Sequence, residues 1–265
     1  MNNSETIVTA DQVPAQSADS AQTMSTPATV VGIFTEPTAV FNSLRERPRF
    51  LVALVLCIAA FMLFNVTYFE RMGFETVIRA QTEANPRAAD VPAEQKEQAI
   101  AVQLKPVVKA IRLLAPVVIF TLVAVVGGLL YLICATMFGG KLNYKRALSV
   151  WTYSTLPPAV FIMLCNFVLL FVAEPDTNLA IARGARRGLV QSSLGVLIDG
   201  SASPVLATLL GGFDAFTFYG LFLGAIGLRR VAKMSAGAAW ATSLTIWGAG
   251  LMLKVGYVAL TGTQM

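Results

Sequence analysis

Asp214 and Lys254 are ionisable residues placed by the hydropathy pattern inside apolar runs. Charge there is costly and is usually kept for a function, so chemistry is sought at these two first. Measured from the basic turn at residues 229–233, they lie about 14 and 17 residues along their runs, or roughly 21 and 25 Å at helical rise. Similar depth near one face of a membrane suits an ion pair that offsets part of each partner's desolvation. Independent reach toward headgroups and water is the competing reading. A substrate or proton relay is the third.

Enzyme chemistry has little else to work with. The chain of 265 residues contains no histidine, which excludes histidine-dependent triads and histidine-ligated zinc. Cys57, Cys134 and Cys165 stand far apart without CxxC spacing and read as small buried hydrophobes. No GxxxxGK[ST], HExxH or strand-preceded Rossmann fingerprint occurs. No second acid joins Asp214 inside an apolar run. No catalytic, metal or cofactor site is expected, and no cofactor.

The elements that must position these residues are membrane helices. Hydrophobic residues make up 55% of the chain and charged ones 13%, against about 25% charged in an ordinary soluble domain. Residues 113–140 carry no charge, and about 20 apolar residues already cross a ~30 Å hydrocarbon layer. The full pattern predicts an all-α polytopic membrane protein of five transmembrane helices at about 50–69, 113–138, 148–173, 213–229 and 238–260. These belong to one domain, 30–262, behind a disordered tail at 1–29. The fourth helix has only 14 uncharged residues between Asp214 and Arg229, so it spans only if Asp214 enters the apolar zone.

Nine positive residues sit in three compact flanks: Arg45, Arg47, Arg49, then Lys141, Lys145, Arg146, then Arg229, Arg230, Lys233. Ten others are spread over the long segments 70–112 and 174–212. Density therefore puts the N-terminus in the cytoplasm and the C-terminus outside the cell membrane. The net charge of +5 is read as headgroup anchoring, with membrane lipids rather than nucleic acid as partners.

Ile33, Phe34, Pro37, Val40, Phe41 and Leu44 recur at helical spacing ahead of a basic end. They predict an amphipathic N-terminal interfacial helix anchored by Phe34, Pro37, Phe41, Arg45, Arg47 and Arg49. A helix packed beneath the bundle fits the same pattern. Pro157 and Pro158 should kink the third span, with Ser154 and Thr155 relieving part of the lost hydrogen bonding. Gly220, Gly224 and Gly227 line one side of the fourth span and predict close helix packing. Gly248, Gly250 and Gly256 are expected to do the same on the facing helix. Segment 174–212 reads as interfacial helices, or as a re-entrant loop.

The stretch IFTEPTAVFNSLRERPRFLVALVL resembles the opening of the Yip domain family of five-span proteins, with its F-x-x-P-x-x-x-F helix and proline-preceded first span. FDAFTFYGLFLGAIGLRRVAKMSAGAAW is similar to that family's aspartate-led fourth span and basic turn, and WTYSTLPPAV to its third span. The resemblance implies the same topology and, through the eukaryotic members, vesicle traffic or membrane shaping with Rab-type GTPases. The short tail has no counterpart of their cytosolic region, and the long charged outer segments look more like the prokaryotic branch. A GTPase partner is therefore not carried over. The expected function is non-enzymatic: membrane organisation, or recruitment of a partner at the cytoplasmic face, that partner being another protein or a further copy in a homo-oligomer. A small transporter or permease accessory subunit using Asp214 and Lys254 is the alternative.

Overall fold

The computed structural model describes residues 24–83, 88, 91–174, 189–190, 192–198 and 202–261, and within them the regular elements are helical. Helix α1 (Thr26–Thr35) begins where Ser25 accepts a hydrogen bond from the Ala28 amide, with a proline in its first turn. The helix thus begins ahead of residue 30, where the membrane domain is expected to start. Residues 1–23 of the expected tail lie outside the described residues. Pro37 bars its predecessor from helical geometry, so Glu36 breaks the chain and α2 (Pro37–Glu46) starts afresh.

Helix α3 (Leu51–Met72) stops at Gly73, whose φ of 79° suits a residue without a Cβ. A charged hairpin follows, α4 (Phe74–Glu83) and α5 (Ala93–Leu104). Pro106 opens α6 (Pro106–Met137), seven residues earlier than the uncharged run predicts. Gly139, at φ 80°, helps to end it. Asn143 then caps α7 (Tyr144–Val172) by accepting from the Arg146 amide at 2.9 Å. A 3₁₀ turn (Leu194–Leu197) and α8 (Pro204–Gly211) precede α9 (Ala215–Val231) and α10 (Ala236–Thr261).

Helices α3, α6, α7 and α10 are long and apolar enough to cross a membrane. At 17 residues, α9 is about 25 Å long, short of a ~30 Å core. Helix α7 is central and packs on α3, α6 and α9, while α9 also packs on α10 and α2. One core gathers Ile33, Phe41, Tyr153 and Leu228. The other gathers Phe64, Tyr68, Val77, Leu170 and Leu189. Large apolar side chains such as Val118, Leu122, Leu164 and Leu253 remain exposed on the long helices, as lipid contact demands.

Arg79 clamps the hairpin, bonding Glu75 at 3.0 Å along α4 and Glu97 at 2.5 Å across to α5. Those hydrogen bonds hold the Arg79 pKa above its ordinary value, and the Arg79 hydrogen bond holds Glu97 below its own of 4.5. A depressed carboxylate stabilises the fold above its unfolded pKa and ceases to do so as pH falls through the folded one. The α4–α5 contact is therefore complete above about pH 4.5 and weakens below it. Amide exchange in α5 should rise modestly on acidification, since the pair is exposed. In Arg79→Gln that rise should vanish.

Candidate functional site

The three basic flanks meet at one end of the bundle. The α6–α7 turn is tied to the α9–α10 turn by the Lys141 amide donating to the Ala232 carbonyl at 3.0 Å. Arg146 Nε donates to the Arg45 carbonyl at the end of α2, at 2.8 Å. Arg49 Nη1 donates to the Met24 carbonyl at 3.1 Å and to Thr26 Oγ1 at 3.0 Å. Arg49 and Arg146 are thus half-buried stitches that fix α1 and α2 to the bundle, and half-buried Arg45 contributes its carbonyl. The other six cations, Arg47, Lys141, Lys145, Arg229, Arg230 and Lys233, stand exposed around them. Arg45 also pairs with exposed Glu46 at 2.9 Å.

The apolar face of α2 turns inward. Val40, Phe41 and Leu44 are fully buried, and Phe34 meets Phe161 of α7 edge-on at 5.7 Å. Pro37 is half-buried at the first position of α2. Of the two expected placements, packing beneath the bundle describes these contacts. The glycines of α9 make room for this packing. A Cβ on Gly227 would stand 2.6 Å from Val150 Cγ1 and 2.9 Å from Phe41 Cε1, and one on Gly224 2.2 Å from the Tyr131 hydroxyl oxygen. At Gly220 it would meet only ordinary contacts at 3.6 and 3.7 Å. Gly248, Gly250 and Gly256 face open space, so the expectation that they pack a facing helix is corrected. The seam that sequence reading missed is α6–α7, where Trp151 lies on Gly127 and Leu148 on Gly128. The adjacent glycine pair in an apolar run was its signal.

Asp214 is the cap of α9. Its Oδ1 accepts from the Thr217 amide at 2.9 Å, and Oδ2 accepts from the Ser192 hydroxyl. A helix start inside an apolar zone leaves amides that need acceptors, and the carboxylate serves them. Among the described residues the ion pairs are Arg45–Glu46, Arg79–Glu75 and Arg79–Glu97. Asp214–Lys254 is not among these ion pairs, and Lys254 is exposed on α10.

Pro157 and Pro158 are buried within an unbroken α7. Ser154 and Thr155 donate to the Trp151 carbonyl at 2.9 and 3.0 Å, two and three residues ahead of the carbonyls that the prolines deprive. Cys57 is buried, but Cys165 is exposed on the outer face of α7, which corrects its reading as a buried hydrophobe. Tyr131 brings its hydroxyl to the Ser154 and Ser243 hydroxyls between α6, α7 and α10. The alignment there leaves buried Ser243 Oγ without a satisfied hydrogen bond.

One buried amide escaped notice in the sequence. Asn166 of α7 is fully buried, and its Oδ1 accepts from the Leu189 and Val190 amides at 2.6 and 3.0 Å. It anchors the segment that carries Ser192 to the Asp214 cap.

A family model described as "Yip1 domain" matches residues 31–256, from α1 through most of α10. The chain belongs to the Yip1 domain family. The α2 helix, the basic turns and the Asp214 cap all fall inside the Yip1 match. This Yip1 protein is 24% identical over 218 residues to "Membrane protein YknW" of Bacillus subtilis (strain 168), covering 82% of this chain and 84% of that one. The bacterial relative supports a prokaryotic Yip1-family membrane protein. No solved structure matches.

Proposed function

We propose that this Yip1-domain protein is a non-enzymatic cell-membrane scaffold that recruits a protein partner at the cytoplasmic face. The observation that carries the reading is the convergence of six exposed cations on two turns and the end of α2, around helices bolted down by Arg49 and Arg146. Preformed geometry lowers the ordering cost of binding, and clustered charge steers an acidic partner.

The topology that puts this end inside has five spans, with the fourth made of α8 and α9 in tandem. The tandem reading is supported by α8 and α9 both packing on α10 and by Trp247 Nε1 donating to the Gly212 carbonyl between them at 3.3 Å. Together the two helices supply the length that α9 lacks. The break between them is capped by Asp214.

A photo-crosslinker introduced at Arg47 or Lys233 in native membranes should give a discrete protein adduct. Charge reversal at Arg47, Arg230 and Lys233 together should abolish it without lowering the melting temperature. Adducts to lipid alone would count against recruitment. Equal labelling of both chain ends by a membrane-impermeant reagent would count against five spans.

A further inference from the structure

At the opposite end of α6 from the basic turns, a cavity of about 390 Å³ opens between α4, α5 and Arg112. Its size lies at the small end of ligand pockets. Arg112 and Lys96 line it, together with Gln81, Gln95, Gln103 and Thr82, and no carboxylate among the described residues does. Arg112 Nη1 donates to Gln103 Oε1 at 2.8 Å, and Nη2 donates to Gln81 Oε1. Each glutamine thereby gives its oxygen to the guanidinium and keeps its amide N–H groups as donors. Among the described residues this half-buried guanidinium is held by neutral oxygens, which leave its charge uncompensated. Arg112 makes the site positive, and the glutamine amides make it rich in donors.

Its depth narrows the ligand. Arg112 is the last charged residue before the uncharged run from Leu113, so the cavity sits where apolar span gives way to headgroup. We propose that it binds a phosphate group, from a phospholipid headgroup or from free phosphate, on the Arg112 fork with the Gln81 and Gln103 amides beside it. Guanidinium matches phosphate geometry in two-pronged fashion. The inference concerns the end of the bundle away from the recruitment surface and stands independently of it.

The full chain in a maltoside detergent supplies the test, as wild type, Arg112→Gln and Gln103→Glu. The second variant places a carboxylate against the guanidinium, so it keeps the fold while neutralising the site. A phospholipid retained by wild type in native mass spectrometry, and lost from both variants, identifies a headgroup. Saturable thermal stabilisation by inorganic phosphate over chloride at matched ionic strength, weakened at least about tenfold in the variants, identifies free phosphate. Wild type and folded Gln103→Glu behaving alike in both measurements overturns the proposal.

Discussion

Gly224→Ala and Gly227→Ala are each expected to lower the unfolding temperature in detergent, while Gly220→Ala, Gly248→Ala and Gly256→Ala leave it unchanged or raise it. The added methyl at 224 would meet the Tyr131 hydroxyl oxygen at 2.2 Å, and the one at 227 would meet Val150 and Phe41. None of these neighbours can easily yield. Tyr131 is buried and stacked edge-on against Trp151 at 5.0 Å, and Val150 and Phe41 have no exposed surface. Overpacking of this kind costs about 1–3 kcal/mol, against a gain of about 1 kcal/mol from replacing glycine by alanine in a helix. At Gly220 only the gain applies, because the methyl finds ordinary contacts, and at Gly248 and Gly256 it meets nothing. Equal responses at 224 and 248 would show that α9 is not the enclosed helix.

Hydropathy and length are local quantities, and what they determine was legible. The long apolar runs became α3, α6, α7 and α10 because length and hydropathy together make a span. What depends on the neighbour was not legible. The pattern in α2 requires an apolar environment, but lipid and protein interior look the same to it, and only the fold puts Phe41 beneath Gly227. Likewise the spacing of Gly248 and Gly256 defines a face without saying whether anything covers it. Asp214 in an apolar run invited a cationic partner. The competing demand, unsatisfied amides at a helix start, became visible only once α9 was seen to begin at Ala215.

Asn166→Leu is expected to release the segment at 189–198 and, through it, the start of α9. The substitution removes the acceptor of the Leu189 and Val190 amides and the donor to the Ile162 carbonyl at 2.8 Å. A buried amide stripped of its partner costs about 1–3 kcal/mol, so the docked segment loses much of its hold. Leu189 still has its apolar seat near Phe64 and Leu170, which opposes the release but does not satisfy the amides. Two and four residues beyond Val190, Ser192 donates to Asp214 and the Leu194 amide donates to the Phe213 carbonyl at 3.1 Å. Undocking should therefore withdraw both from the α9 cap. Hydrogen exchange should accelerate at 189–198 and in the first turn of α9, residues 215–218, while residues 224–231 stay protected by the glycine seam. Asn166→Asp keeps an acceptor for both amides and should show the smaller change. Faster exchange at 189–198 with an undisturbed first turn of α9 would mean that Asp214 caps the helix without help from Ser192.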